Sequence, residues 1–182
     1  MSEVPDLSGT LDELWRFLRG RLEEDEPTIV TLGTLSNGAP QLRSVALRSA
    51  ERRTSTLEVY TDRLSQKVTE IAAEPNVSLL LVSADRTRQL RLCGQARVLT
   101  GDAVRAYWTA LGPRQRLHYS HVPAPGLPIG AANDYRQIPA ADRLAVLRIS
   151  LTHIDWVELR DDGDRRAAYS VKDGWMGAWL SP

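Results

Sequence analysis

Arg43-Ser-Val-Ala-Leu-Arg48 has the alternation of a β-strand, with an arginine at each end. Three polar segments follow it along the chain: Tyr60-Thr61, then Ser65-Gln66-Lys67, then Arg88-Gln89 at the start of an apolar stretch. A phosphate group is held by several cations and hydroxyls at once, because each charge-assisted hydrogen bond is weak when exposed and alone. The ordered series therefore predicts a phosphate-binding site on neighbouring strands.

The segments on either side of this stretch predict a β-meander. Asn37-Gly38 is a hairpin turn signal, and a capping box at Thr10-Leu-Asp-Glu begins a predicted amphipathic helix over 10–24. Further helices are predicted over 64–73 and 101–111, and the predicted strands are 28–35, 41–48, 57–61, 77–82, 89–99, 144–151, 154–159 and 165–171. Because strands predominate, we expect a mostly β fold with α additions (α+β), a barrel closed on itself.

Composition favours a single domain over 1–182, since 182 residues with 42% hydrophobic content can bury a substantial core. Lys+Arg and Asp+Glu are both 23, so no broad positive surface for nucleic acid is expected. The N-terminus lacks a signal-like apolar stretch and no run reaches transmembrane length, which predicts a cytoplasmic protein without a membrane partner. Cys93 lies in an apolar stretch and is expected to be buried and inert.

The ordered series resembles the flavin-binding half of the pyridoxamine 5′-phosphate oxidase-like family. That family's pattern is R-x-V-L-L-K, then Y-T, then S-R-K, then R-Q-[apolar]-x-x-x-G-x-[AV], and the resemblance here runs from Arg43 to about Val98. It implies a split β-barrel of the FMN-binding type and FMN as cofactor.

By position in these motifs, the resemblance assigns a set of residues to the cofactor. Lys67 would bind the flavin phosphate from the first turn of its helix, and the Gln89 amide would contact the polar edge of the isoalloxazine ring. Gln66 stands where the family has Arg, which keeps hydrogen bonding but loses a charge. The full set is Arg43, Ser44, Val45, Ala46, Leu47, Tyr60, Thr61, Ser65, Gln66, Lys67 and Gln89.

Two further residues are assigned to the substrate side. Alternation places Arg43 and Arg48 on opposite faces of one strand, so either a bulge intervenes or the two contact different groups. The family implies different groups: the position of Arg43 serves the flavin, and that of Arg48, normally Lys, reaches toward the substrate phosphate. Tyr107-Trp108 fits a family Tyr-[aromatic] motif, which places Tyr107 on the substrate side.

The C-terminal third departs from the family ending V-E-[FY]-W-x5-R-[apolar]-H-[DNE]-R. If Val157-Glu158 is aligned with that ending, Arg160 takes the position of the Trp, Arg166 that of the first Arg, and Ala168 and Ser170 replace the substrate His and the flavin Arg. A shifted register instead makes Trp156 the flavin tryptophan and Arg166 the final, flavin-contacting Arg. The alternatives, Trp156 against Arg160 and Arg165 against Arg166, stay open.

These features predict an FMN-binding oxidoreductase of a small molecule, with an altered substrate clamp. The alternatives are a non-catalytic flavin-binding or regulatory protein, or a split barrel that binds deazaflavin or haem.

The proline-containing segment 112–142 is expected to cover something or to meet a partner. Since a lone small barrel offers a shallow groove, we expect a homodimer with the flavin at its interface. His118 and His121 lack a nearby Cys or carboxylate in sequence, so no metal site is predicted.

Overall fold

The computed structural model describes residues 6–23 and 27–182 and begins with helix α1 (Leu7–Leu22). The N-cap is Asp6, whose carboxylate accepts a hydrogen bond of 2.6 Å from the Gly9 N–H. The predicted cap at Thr10 was therefore wrong: Thr10 lies inside the helix and its hydroxyl donates to the Asp6 carbonyl. The predicted end at Glu24 lies outside the described residues.

Six antiparallel strands close into a barrel in the order β8-β3-β2-β1-β4-β5, with β5 pairing back onto β8. In chain order the strands are β1 (Ile29–Ser36), β2 (Ala39–Glu51), β3 (Thr56–Asp62), β4 (Asn76–Val82), β5 (Arg88–Leu99), β6 (His121–Val122), β7 (Arg136–Gln137), β8 (Leu144–Glu158), β9 (Arg165–Ser170) and β10 (Ala178–Leu180). The short helices after α1 are α2 (Gln66–Ala73), α3 (Arg105–Ala110) and α4 (Pro113–Leu117). The prediction of a mostly β barrel with α additions is confirmed.

Strand β8 closes the barrel and also extends beyond it. Its first half pairs with β3, nearly its whole length pairs with β5, and its second half pairs with β9, which in turn pairs with β10. The sequence predicted two strands here, whereas the structure has one, with a register shift at Thr152 opposite Cys93 and Gly94. A bulge keeps the chain in the sheet while interrupting the alternation that identifies a strand.

The core fills the barrel and lies beneath α1, which contributes Leu14, Trp15 and Leu18. Trp156 of β8 belongs to this core and meets the Phe17 ring edge to face, with centroids 5.9 Å apart. Cys93, expected to be buried, is half-buried on the outside of β5, with its Sγ 3.3 Å from the Ser78 hydroxyl oxygen. It faces outward because alternation along β5 turns Leu92, not Cys93, into the core.

The segment 112–142 contains α4 and the two-stranded pair β6–β7. Arg143 anchors it: the guanidinium donates to the His121 carbonyl at 2.9 Å and to the Asp62 carboxylate at the end of β3. The segment is thus folded back against the barrel, next to the end of β3 and the middle of β2. In the described parts of the chain, no helix combines the length and the apolar character needed to cross a membrane.

Candidate functional site

A groove of ≈ 450 Å³ lies between the barrel and this segment. Strands β2 and β3 and the start of α2 form one side, which we name the barrel wall, and residues 118–125 form the other, which we name the loop wall. The predicted site residues that line the groove are Ser44, Val45, Ala46, Arg48, Tyr60, Thr61, Ser65 and Lys67. The structure therefore gathers most of the polar series into one cavity.

Three side chains converge where β3 leads into α2. The Lys67 ammonium donates to the Thr61 hydroxyl at 3.1 Å, and the Thr61 and Ser65 hydroxyl oxygens are 3.2 Å apart. Ser65 is the N-cap of α2, so the first-turn N–H groups of that helix start here as well. Burial lowers the pKa of Lys67 below its ordinary value, and the positive charge of Arg43 lowers it further. We name Thr61, Ser65 and Lys67 the hydroxyl–lysine cluster; it has the donors that bind an anion.

Arg43 does not line the groove. It faces the same side of β2 as Val45 and Leu47, and its guanidinium donates to the Glu70 carboxylate at 2.6 Å and to the Thr34 hydroxyl. Glu70 lies on α2, one turn after Lys67. Arg43 is thus close enough to affect Lys67 electrostatically, but its charge is paired within the protein.

Arg48 reaches the groove because β2 has a bulge there. The pairing of β2 with β3 shifts between Leu47 and Ser49, so Arg48 is the extra residue. Its guanidinium carbon is 6.0 Å from the centre of the Tyr60 ring, and its Nη2 is 3.4 Å from the Tyr119 hydroxyl. The Arg48 Nε atom is buried without a hydrogen-bond partner among the described residues. The two alternatives posed by the sequence are therefore both present: β2 has a bulge, and Arg43 and Arg48 lie in different surroundings.

Tyr107 lies behind the groove instead of lining it. Its ring meets the Tyr60 ring edge to face at 5.5 Å, its hydroxyl donates to Glu58 at 3.0 Å, and Arg148 donates to that hydroxyl. Burial, followed by the nearby Glu58 charge, raises the pKa of Tyr60 to about 12, so Tyr60 stays a neutral phenol. In this chain Tyr107 positions Tyr60.

Three other predicted cofactor residues lie at or beyond the margin of the groove. The Leu47 side chain is in the core, which leaves only its main chain for a ligand. Gln66 is exposed at the start of α2 and lies close to Gly126 of the segment 112–142. A methyl group added at Gly126 would be 3.6 Å from the Gln66 amide carbon. Gln89 is exposed on the outer face of β5, away from the groove.

Trp156, which the sequence resemblance assigned to the flavin in one register, lies in the core. Only 2% of Trp156 is exposed, and a side chain so deep in the core has no surface left for a ligand. Strand β8 turns Trp156 inward and its neighbours Asp155 and Val157 toward the outside of β5 and β9, which disfavours a flavin contact by the Trp156 side chain.

Arg166 lies on the outer face and outside the groove of its own chain. Its guanidinium donates to the Asp155 carboxylate at 3.1 and 2.9 Å, and this pairing holds the pKa of Asp155 below its ordinary value. Val157 pairs with Gln89 on one side and with Arg166 on the other. Gln89 and Arg166 therefore lie in one row across three strands.

Several groove residues were missed from the sequence. Tyr119, Pro125 and Asp62 line it, together with His118 and His121, which had been considered only as metal ligands. Among residues 6–23 and 27–182, no three His, Cys, Asp or Glu side chains cluster as metal ligands would. The signal that could have found the loop wall was the unusual length of the 112–142 segment, which indicated a cover without indicating which residues face inward.

The sequence profile of the pyridoxamine 5′-phosphate oxidase family matches residues 14–157. The pyridoxine/pyridoxamine 5′-phosphate oxidase of Prochlorococcus marinus (strain MIT 9303) is 29% identical over 102 residues, which are 55% of this chain and 45% of that protein. The chain spans about half the length of the curated relatives it matches.

Two solved structures share the whole fold. A pyridoxamine 5′-phosphate oxidase-related, FMN-binding protein of Nostoc punctiforme PCC 73102 has a TM-score of 0.74 at 22% identity, over 100% of this chain and 99% of that one. PhzG of Burkholderia lata 383, in complex with tetrahydrophenazine-1-carboxylic acid, has a TM-score of 0.73 at 21% identity, over 99% and 95%. This likeness confirms the split-barrel fold. Because the family profile covers well over half of the 182 residues, the chain belongs to the pyridoxamine 5′-phosphate oxidase family.

Proposed function

We propose that the groove binds FMN, with the phosphate at the hydroxyl–lysine cluster, and that the protein is an FMN-dependent oxidoreductase of a small molecule. The observation that carries the proposal is the convergence of Lys67, Thr61 and Ser65 at the start of α2. The groove's ≈ 450 Å³ lies within the usual range for small-molecule sites. A protein with the same fold is an FMN-binding protein, and another holds a small organic acid, which supports this choice.

The chain's own residues have separate tasks in this proposal. Lys67 supplies the positive charge for the phosphate, and the Thr61 and Ser65 hydroxyls complete its shell. Tyr60, held by Tyr107, presents an apolar face and stays protonated, so it orients a bound ring without adding charge. Flavin, when bound, supplies hydride transfer, and the protein supplies grip, orientation and exclusion of water.

Comparing FMN with riboflavin tests the phosphate assignment. The two ligands differ only in the phosphate, so wild-type protein should bind FMN much more tightly, and Lys67→Met should lose most of that preference. Equal affinity of the wild type for both would refute the phosphate site. The absorption spectrum of protein purified from cells separates bound flavin from deazaflavin or haem.

We further propose that the site is completed by a second copy of the chain. The groove residues Ile29 and Ala46 lie opposite each other on the outer face of the barrel. This face continues as exposed apolar surface through Leu42, which is 74% exposed, and Leu80. Such a surface is typical of an interface.

The row of Gln89 and Arg166 lies farther along the same outer face, since Val82 of β4 is paired with Gln89. A two-fold arrangement of this face would bring the partner subunit's copy of this row toward the groove. This placement agrees with the flavin contact that the sequence resemblance implied for Gln89 and, in the shifted register only, for Arg166.

The dimer is tested by light scattering at micromolar concentration. Wild-type protein should have twice the 20.3 kDa chain mass, and Leu42→Glu should be monomeric and bind FMN less tightly. Ala103→Glu, at an exposed position on a turn before α3, is the matched control and should stay dimeric. A monomeric wild type that retains tight FMN binding contradicts the shared site.

A non-catalytic flavin-binding protein is the second candidate. Ser170, which stands where one alignment expects a flavin-contacting Arg, uses its hydroxyl to cap the turn after β9. Mixing FMN-loaded protein with NADPH or with amine and alcohol donors, without oxygen, distinguishes the two. Bleaching of the flavin absorbance by one of them supports an enzyme.

A further inference from the structure

Glu70 has a largely covered carboxylate that has no task in the proposed function. Its side chain is only 9% exposed, and its Oε2 atom accepts hydrogen bonds of 2.6 Å from both Arg43 and the Thr34 hydroxyl. Arg43 also donates to Thr34, so the three groups form a closed ring. The Glu70 carboxylate therefore pairs directly with the Arg43 guanidinium, and the Thr34 hydroxyl adds a second hydrogen bond to the same oxygen.

This ring lies beside the hydroxyl–lysine cluster. Glu70 follows Lys67 by three positions on α2, and residues three apart on a helix are neighbours on its surface. The charges of Arg43 and Glu70 act on the pKa of Lys67 in opposite directions. Asp62 is the other negative charge that acts on Lys67, so without Glu70 it alone would offset the repulsion between the partly buried Arg43 and Lys67.

We propose that Glu70 stands in for the ligand phosphate: it neutralises Arg43 in the ligand-free protein and so stabilises the empty site, at the expense of phosphate affinity. The inference rests on the proposed binding of FMN at Lys67. A phosphate bound at Lys67 is then opposed by the negative charge of Glu70, while Arg43 stays paired with Glu70. Glu70 is a positioning and charge-balancing residue with no contact to the flavin ring.

The proposal predicts opposite effects on stability and on affinity from one substitution. Glu70→Gln keeps the acceptor oxygen and the size of the side chain but removes the charge. The ligand-free variant should unfold at a lower temperature than the wild type, because the repulsion between Arg43 and Lys67 is then offset by Asp62 alone. The same variant should bind FMN about three- to tenfold more tightly, while its affinity for riboflavin should not change.

A double-variant cycle with Arg43 removes the ambiguity of a general folding defect. In an Arg43→Met background, Glu70 becomes a buried charge without its cation, so Glu70→Gln should raise the melting temperature instead of lowering it. Glu51→Gln, at the exposed end of β2, is the control and should change neither stability nor FMN affinity.

Each outcome decides a separate point. If FMN binds to the wild type and Glu70→Gln leaves its affinity unchanged or weakens it, the stand-in role is refuted while the proposed function survives. The same holds if riboflavin affinity rises as much as FMN affinity. If the wild type fails to bind FMN, the proposed function fails and the phosphate part of this inference fails with it. Even then, a higher melting temperature of Glu70→Gln in the Arg43→Met background would show that Glu70 balances the charge of Arg43.

Discussion

The two walls of the groove are built in different ways. The barrel wall consists of paired strands and the first turn of α2, so neighbouring backbone hydrogen bonds fix the position of each of its side chains. The loop wall is irregular, and the buried ion pair between Arg143 and Asp62, 81 positions apart, holds it to the barrel. The comparison shows that the phosphate-binding half of the site depends on local geometry, whereas the covering half depends on contacts between residues far apart in the sequence.

Loss of that contact should have the largest effect on stability. The Arg143 and Asp62 side chains are only 12% and 3% exposed, so Arg143→Met leaves a buried carboxylate without its cation. We expect the free energy of unfolding to fall by about 3 kcal/mol. Urea unfolding of the ligand-free protein measures this.

The matched control for this prediction is Arg105→Met. Arg105 pairs with Asp102 in full solvent, with 78% and 90% of the side chains exposed, and its loss should cost less than about 1 kcal/mol. If both variants unfold at the same urea concentration, the ion pair does not hold the loop wall.

On the barrel wall, Lys67 and Arg43 should differ in their effect on FMN. Lys67→Met removes a cation that faces the groove, and FMN affinity should fall about ten- to hundredfold, equivalent to about 1.5–3 kcal/mol. Arg43→Met should have a smaller effect, because Arg43 is already paired with Glu70. Fluorescence titration with FMN measures both.

Equal losses in the two variants would place Arg43 in direct contact with the phosphate, as the sequence alone implied. In that case Arg43 would have to leave Glu70 on binding, and the barrel wall would be less rigid than its strand pairing indicates.

The smallest expected effect is the pH dependence that Lys67 gives to the ligand-free barrel wall. Its pKa is lowered in the folded protein, so protonation favours the unfolded chain at neutral pH. The loss of folding stability caused by protonated Lys67 should disappear as pH rises through the lowered pKa toward the ordinary value of about 10.4. The stability advantage of Lys67→Met over wild type at pH 7 should therefore shrink at pH 10, and an advantage independent of pH contradicts the assignment.

The sequence predicted the barrel and most of the barrel wall because both depend on short-range patterns. Thr61, Ser65 and Lys67 are within six positions, and one strand end and one helix start bring them together. The partner of Arg43 could not be predicted, since Glu70 meets it only after α2 packs beside β1 and β2. The burial of Trp156 could not be predicted for a related reason: a motif comparison does not say which face of β8 is buried.

The residues that form the loop wall could not be predicted from the sequence. His118 and Tyr119 enter the groove because Arg143 fixes the chain that follows them, and no local spacing encodes that contact. The bulge at Thr152 similarly made one strand look like two, because an extra residue reverses the alternation.

The closure of the barrel by β8 sets the order in which the protein can form during synthesis. Strands β3 and β5 emerge from the ribosome each with an edge unpaired. Those edges are paired only when the 15 residues of β8, which begin at Leu144, have been made. Pairing over such separations is slow, and open strand edges are prone to aggregation. Since Arg143 directly precedes β8, the loop wall cannot be fixed any earlier. A ligand that needs both walls can therefore bind only after β8 has been made, so cofactor supply acts on the closed barrel and cannot guide its early steps.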